Sequence, residues 1–248
     1  MEWRDEGIIL SVRPHGETSA IVELFTRDHG RHLGLVRGGR SRRNRPVLQL
    51  GNHVDATWRA RFAEHLGNLT AELRRGLAAE VMERKVALSG LMSLCALARL
   101  LPERDPHPSL YEVTQFVLGY LLDDEVWPTL YVRWELALLE ELGFGLDLTT
   151  CAATGSTDDL MFVSPKTGRA VSRDAGMPYA DKLLRLPRFL RRDRSGEPEP
   201  SDVVDGLKLT AYFLERDVLL PRGLTMPETR TRLVGYLTSA QAGPQPSV

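Results

Sequence analysis

The residues best suited to chemistry are five arginines in one short segment, residues 37–45, which lies between two predicted strands. The segment contains no acidic residue and includes Gly38 and Gly39. Crowded positive charges repel one another, and a polyanion relieves that repulsion. We therefore predict that the segment binds nucleic acid through phosphates, without sequence preference; the alternative is a solvated loop with no partner. The five side chains are Arg37, Arg40, Arg42, Arg43 and Arg45.

Further basic residues flank this segment. Arg31 precedes it, and Arg59 and Arg61 alternate with apolar residues along a predicted strand, so they fall on its polar face. We predict that all three extend the nucleic-acid surface; the alternative is ordinary solvated strand charge. A second basic patch at residues 182–194 is hypothesised to hold a second strand.

Composition restricts the class of protein. The 248 residues carry a formal net charge of −1, so basic character must be local, and 42% hydrophobic content is ordinary for a globular chain. Cys95 and Cys151 lie far apart, which argues against a disulfide framework and favours a reducing cytoplasm. Charged residues begin at Glu2, so we expect no secretory signal. The sequence contains no run of 18 apolar residues, so we also expect no membrane span.

Catalytic and metal motifs are missing from the sequence. There is no phosphate-binding loop followed by Lys and Ser or Thr, no G-x-S-x-G and no H-E-x-x-H. Cys151, Thr154, Ser172 and Ala175 have the spacing of a zinc ribbon, but one thiolate cannot hold a structural zinc ion. We therefore predict a non-catalytic protein without metal or cofactor; an enzyme with an unrecognised site is the least favoured alternative.

The first 76 residues have the pattern of five short strands. Alternation is clearest over residues 54–62, where we place Trp58 and Phe62, with Phe25, in the core. Five strands with tight turns and one long basic loop favour an OB-fold, and an SH3-like barrel gives nearly the same pattern. The fold class is α+β, with this barrel as a nucleic-acid-binding domain over residues 1–76.

Helical periodicity begins near Leu77. We predict a helical bundle domain from residues 77–146 and 177–240, with helices that begin near Ser109 and Pro128. Between the two parts, residues 147–176 form a short hairpin that resembles a zinc ribbon without its cysteines. Residues 241–248 are predicted to be a disordered tail.

Several blocks of the sequence together resemble the RecO family of bacterial DNA repair proteins. They begin with GIILSVRPHGETS from Gly7, FTRDHGR from Phe25 and VRGGRSRR from Val36. RWELALLEELGFGLDL, from Arg133, followed by Cys151, is similar to the mid-chain signature of that family. The blocks keep their order over residues 7–176, whereas the C-terminal helices match only in character. The chain departs from the four-cysteine ribbon at Thr154, Ser172 and Ala175.

The resemblance implies an OB-fold, a helical domain and a recombination mediator. Such a protein binds single- and double-stranded DNA, anneals complementary strands, and helps to load RecA together with RecR on DNA covered by the single-strand-binding protein SSB. It implies no catalytic residues, and we expect a monomer in the cytoplasm, associated with the nucleoid and not with a membrane. The acidic SSB tail ends in an apolar residue, so Arg133 beside Trp134 is our candidate contact; the alternative for Arg133 is an ion pair on the helix surface. The alternative is a protein-interaction scaffold whose basic loop binds an acidic protein tail.

Overall fold

The computed structural model describes residues 1–191 and 200–241 of the chain. Two compact units are distinguished, one of residues 1–122 with 227–230 and one of residues 123–226 with 231–248. In the described residues, no helix combines the length and the apolar content that crossing a membrane requires. The first unit begins with five strands: β1 (Glu2–His15), β2 (Ser19–Thr26), β3 (Gly30–Val36), β4 (His53–Arg59) and β5 (Asn68–Arg75).

These strands close into a barrel in the order β1-β2-β3-β5-β4, which confirms the predicted OB-fold. The long strand β1 pairs with β4 along its first half and with β2 along its second, and a register shift between Ile9 and Ser11 bends it between the two partners. Closure between β3 and β5 is much weaker, because these parallel strands pair only at Leu35 and Asn68. The barrel is therefore partly open beside β5.

Alternation along the strands fills the barrel interior with apolar side chains. β4 shows this most clearly, since Val54, Ala56 and Trp58 are buried while Asp55 and Arg59 are exposed. The interior cluster comprises Ile9, Ala20, Val22, Leu24, Val36, Leu48, Val54, Ala56, Trp58 and Leu69.

Helices cover part of the outer face of the barrel. The first unit continues with α1 (Leu77–Val81), α2 (Lys85–Ala98) and α3 (Pro108–Gly119). The Cys95 thiol on α2 lies 3.7 Å from the Ile9 carbonyl oxygen, and the Tyr111 ring on α3 meets the Phe25 ring edge-on with centroids 5.5 Å apart. Helix α3 begins at Pro108, one residue before the predicted start.

The second unit combines helices with a small sheet. Its helices are α4 (Trp127–Glu141), α5 (Arg173–Gly176), α6 (Pro200–Phe213) and α7 (Glu228–Gln241), and the first turn of α7 is grouped with the first unit. Its strands are β6 (Leu160–Val163), β7 (Ala170–Ser172) and β8 (Leu184–Arg185). Short 3-10 helices at Met177–Lys182, Arg188–Leu190 and Leu220–Arg222 and a π-helix at Leu214–Leu219 complete it. The Thr210 hydroxyl on α6 donates a 2.5 Å hydrogen bond to the buried Glu135 carboxylate on α4.

The helical and hairpin elements follow the sequence-based prediction, with one added strand. The hairpin of β6 and β7 is confirmed, and β8 joins β6 as a third strand in the order β7-β6-β8. The units group α1 to α3 with the barrel. The domain boundaries predicted from sequence separate barrel from helices at residue 76 and stay a prediction. The predicted disordered tail falls almost entirely outside the described residues.

Candidate nucleic-acid interface

The arginine segment, residues 37–45, is a series of turns held against the start of β2. The Gly39 amide donates to the Val36 carbonyl and the Arg40 amide to the Thr18 carbonyl, at 3.1 and 3.0 Å. A Cβ on Gly39 would lie 2.8 Å from the Ala20 Cβ, so only glycine permits this close approach. Gly38 adopts φ +63°, a left-handed conformation that glycine enters without strain. The two glycines thus set the path of the basic backbone.

Two buried or half-buried asparagines fix the remainder of this connection. Asn44 Nδ2 donates to the Gly38 carbonyl at 3.0 Å and closes the segment on itself. Asn52 is 1% exposed, and its Nδ2 donates to the carbonyls of Pro46 and Val47 at 2.9 and 3.1 Å. Its Oδ1 accepts the amide of Ala78 on α1 at 3.1 Å. These bonds satisfy backbone groups that the turns leave unpaired, so the segment is held in one conformation.

The five arginines of the segment are exposed and, among the described residues, none of them forms an ion pair. Arg40 Nη1 donates to the carbonyls of Gly16 and Glu17, which orients this side chain without neutralising it. Many other arginines of the same unit are paired with carboxylates: Arg27, Arg31, Arg59, Arg74, Arg75, Arg99 and Arg104. The segment therefore concentrates positive charge that no acidic side chain of the described chain offsets.

Arg31 lies elsewhere, on the covered outer face of the barrel. Its Nη1 is 2.5 Å from Glu23 Oε1 and its Nε donates to the Leu101 carbonyl, while Arg99 Nε pairs with the other oxygen of Glu23 at 2.8 Å. Burial raises the pKa of the Glu23 carboxyl, but hydrogen bonds from Ser11 and Arg31 and the charge of Arg99 outweigh burial and lower it overall. Arg31 thus has an internal partner that its position in the sequence did not indicate.

The other two predicted arginines lie at the end of β4 and in the loop between β4 and β5. Arg59 ends β4 and pairs with Glu2 at 2.8 Å, with both side chains largely exposed. Arg61 lies beyond the end of β4, and its guanidinium carbon is 5.2 Å from the centre of the Phe62 ring. Phe62 is 47% exposed, so its predicted place in the core is wrong: the strand ends at Arg59, and the alternation no longer applies.

A groove lies between the arginine segment and β5, where β3 and β5 diverge. It encloses about 730 Å³, and Arg37 and Arg43 stand on one wall. We call it the β5 groove, and its lining is Leu35, Val36, Arg37, Arg43, Asn44, Val47, Leu48, Asn68, Leu69, Thr70, Ala71, Glu72 and Leu73. The arginine segment thus borders a concave surface of small-ligand size.

Of the two residues predicted to contact a partner, Arg133 is exposed and Trp134 is not. Trp134 is fully buried, and its ring stacks with Tyr131 at 5.9 Å between centroids, so the indole does not form part of a surface pocket. Arg133 is exposed, donates to the Phe189 carbonyl and lies 5.8 Å from the Phe189 ring centre. Helical periodicity placed both residues on α4 but did not distinguish its buried face from its exposed one.

Cys151 is buried in the hairpin region rather than in a metal site. Its thiol lies 3.4 Å from the Ser172 hydroxyl and accepts the Ser172 amide at 3.3 Å. Burial raises the pKa of this thiol, but hydrogen bonds from Ser172 and Thr154 outweigh it and lower the pKa to about 6. Within the described ranges, no three His, Cys, Asp or Glu side chains are grouped so that they could hold a metal ion.

The second basic patch is described only up to residue 191; residues 192–194 lie outside the described part of the chain. Arg185, Arg188 and Arg191 line a pocket of about 430 Å³ in the second unit, together with Arg173 and Asp202. Its predicted role in holding a second strand stays a prediction.

Comparisons with known proteins match almost the whole chain. The model of Recombination protein O N terminal matches residues 1–77, and that of Recombination protein O C terminal matches residues 83–224. The DNA repair protein RecO of Mesorhizobium japonicum is 53% identical over 242 residues, covering 98% of this chain and 96% of that protein. The protein of the same name from Methylobacterium nodulans is 54% identical over 247 residues, covering 98% and 100%. That from Rhodopseudomonas palustris (strain TIE-1) is 52% identical over 250 residues, covering 100% of both chains.

Proposed function

The chain belongs to the RecO family of DNA repair proteins, and from this premise we propose that it is a recombination mediator that binds single- and double-stranded DNA through its arginine segment. It acts in DNA repair and recombination. It anneals complementary strands and helps to load the recombinase RecA, with RecR, onto DNA covered by SSB. The loading of the recombinase with RecR rests on membership of the family.

The observation that carries the DNA-binding proposal is the state of the five guanidinium groups. They project from a segment that Asn44 closes on itself and that Asn52 anchors from beyond its end, through Pro46 and Val47. No carboxylate of the described residues neutralises them. A fixed basic surface binds phosphates with little loss of conformational entropy, since its backbone is already ordered. Side chains that read base edges are not required, so binding is independent of sequence.

Annealing follows from the same electrostatics. Two complementary strands repel each other through their phosphates, and arginines that bind both backbones reduce that repulsion. The bases then pair without input from a nucleotide cofactor. We therefore propose a non-catalytic protein that needs no metal or cofactor, acts as a monomer in the cytoplasm at the nucleoid, and contacts RecR and SSB, with Arg133 as the candidate contact for the SSB tail.

Annealing of two complementary oligonucleotides across a salt series tests this function. The intact chain is compared with a variant in which Arg40, Arg42, Arg43 and Arg45 are all changed to Ala. We expect annealing that weakens with salt and is lost in the variant. Annealing that the substitutions leave unchanged would show that these arginines do not bind DNA. No annealing by the intact chain, together with tight binding of an acidic peptide, would favour a protein-interaction scaffold.

A further inference from the structure

The loop between β4 and β5, residues 60–67, presents an aromatic ring to solvent from a rigid base. Trp58 Nε1 donates to the Leu66 carbonyl at 2.9 Å, and Arg104 Nη2 donates to the carbonyls of Glu64 and His65, both at 3.2 Å. The Met1 ammonium donates to the Ala60 carbonyl at 2.6 Å. An ordered loop normally turns a phenylalanine inward, because burial of such a ring stabilises a fold by about 2 kcal/mol.

Phe62 nevertheless points outward, and cationic and aromatic groups frame its ring. The Arg61 guanidinium lies 5.2 Å from the ring centre, and the His65 ring meets it edge-on with centroids 5.2 Å apart. An exposed aromatic ring beside an arginine is the arrangement on which unpaired bases stack.

This loop runs directly into the β5 groove. The Leu35 amide donates to the Gly67 carbonyl at 2.9 Å, and the next residue, Asn68, pairs with Leu35 at the end of the groove. From there, Asn68 to Leu73 line the groove toward Arg37 and Arg43. Five strand steps span about 17 Å, the length of about five stacked nucleotides of one strand.

One edge of β5 is open along this course. β4 pairs with β5 from Asn68 to Arg75, whereas β3 pairs with it at one position only. Because the Gly67 carbonyl points to β3, the pleat directs the backbone groups of Ala71 and Leu73 away from β4 and into the groove. Beyond Asn68 no strand of the described chain pairs with that edge, so these donors and acceptors can bind the edges of bases. Leu73 is 45% exposed and adds an apolar contact.

The more usual ligand face of an OB-fold, that of β2 and β3, is obstructed here. Phe25 on β2 packs under Tyr111, and Glu23 holds Arg31 and Arg99 on the same outer face. A strand of DNA must therefore lie on another surface of the barrel. The β5 groove is open and is lined in part by the arginine segment, and the β4–β5 loop leads into it at Asn68.

On the premise of the DNA binding proposed above, we infer that the β5 groove is a track for a single, unpaired strand, with Phe62 as the residue on which a base stacks. Phosphates bind Arg37 and Arg43, and bases contact Phe62 and the open edge of β5. A duplex makes neither contact, because its bases are already stacked and paired. Duplex DNA therefore binds only to the exposed arginines, whereas the single strand also occupies the groove.

Affinities of the full chain for fluorescein-labelled dT12 and for a 12-base-pair duplex test this inference. Phe62→Ala is expected to weaken dT12 binding about tenfold and to leave duplex binding unchanged. Leu73→Asn, which removes the apolar contact inside the groove without adding charge, is expected to do the same. Phe116→Ala is the matched control, since Phe116 is 55% exposed on α3. Phe62→Trp is expected to keep the affinity, and dT12 is expected to quench its tryptophan emission more than that of the intact chain, which has four tryptophans.

The outcomes distinguish a failure of this inference from a failure of the proposed DNA binding on which it rests. Unchanged dT12 binding by Phe62→Ala and Leu73→Asn, with both DNA forms weakened by alanine at the four arginines, overturns the track and leaves DNA binding in place. Equal weakening of dT12 and duplex also overturns it. If an acidic peptide of alternating Asp and Val binds the chain, and Leu73→Asn abolishes peptide binding while dT12 binding is unchanged, the groove binds a peptide and the inference fails. If the arginine variant binds dT12 and the duplex as tightly as the intact chain does, the proposed function itself is contradicted.

Discussion

Arg31 and Glu23 form an ion pair on the covered outer face of the barrel, with 2.5 Å between Arg31 Nη1 and Glu23 Oε1. Glu23 is 2% exposed and also accepts Arg99 Nε and the Ser11 hydroxyl, both at 2.8 Å. These polar groups, on the strands that commonly bind ligands in OB-folds, bind one another instead. The candidate DNA surface is correspondingly displaced to the arginine segment and the β5 groove.

Glu23→Gln is expected to destabilise the first unit by about 3 kcal/mol, because it leaves Arg31 and Arg99 without their shared anionic partner. Urea unfolding followed by circular dichroism measures the change. Glu2→Gln is the matched control, since the Glu2–Arg59 pair is exposed and its loss is expected to have little effect. Equal losses in the two variants would contradict a structural role for the buried pair.

Acid is expected to destabilise the fold through His32. Burial, followed by the positive charge of Arg104, lowers the pKa of His32 to about 4, whereas an unfolded histidine titrates near pH 6.5. Between pH 6.5 and pH 4, His32 is therefore protonated in the unfolded chain but neutral in the folded chain. The stability contributed by neutral His32 is complete above pH 6.5 and is lost as the pH falls toward 4.

His32→Phe removes this titration and keeps a ring between Trp3 and Trp58, which both contact His32 edge-on. The melting temperature of the variant is expected to change less than that of the intact chain between pH 7 and pH 5. His15→Gln, at an exposed position, is the control. Parallel melting curves for His32→Phe and the intact chain over this range would refute the effect.

Asn52→Ala is expected to loosen the arginine segment. It removes the donor to the Pro46 and Val47 carbonyls and the acceptor of the Ala78 amide, at a cost of about 2 kcal/mol. Trypsin then cleaves after the arginines of residues 37–45 faster than in the intact chain, because cleavage requires local opening. Gln49→Ala is the comparison: it removes one exposed bond to the Arg45 carbonyl and is expected to speed cleavage less than Asn52→Ala does. Unchanged cleavage in Asn52→Ala would show that Asn52 does not hold the segment.

The salt dependence of the duplex affinity is expected to report how many phosphates the arginines contact. Changing Arg40, Arg42, Arg43 and Arg45 to Ala removes up to four contacts, so the slope of log K against log salt concentration falls in magnitude by about 3 to 4. Titrations at several salt concentrations measure it. Arg27→Ala is the control, since Arg27 pairs with Glu112 and is expected to leave the slope unchanged. A slope that the four substitutions do not alter would place DNA elsewhere.

Much of the fold could be predicted from periodicity. Alternation identified the strands from β1 to β5, and three- to four-residue spacing identified α2, α3 and α4, because each pattern reflects one buried face. Two limits appear at Phe62 and Trp134. Phe62 continues the alternation of β4 beyond the point where the strand ends at Arg59, and Trp134 lies on the buried face of α4. Local spacing cannot reveal where a strand stops or which face its neighbours cover.

The sequence by itself determined the family, the OB-fold and the charge of residues 37–45, because these depend on residue order and composition alone. Tertiary structure decided which arginines are available. Arg31 and Arg43 are alike as residues, yet Arg31 meets Glu23 across the sheet while Arg43 faces an open groove. Whether a guanidinium binds a carboxylate or a phosphate depends on what the fold brings within about 4 Å of it, and residues distant in sequence set that environment.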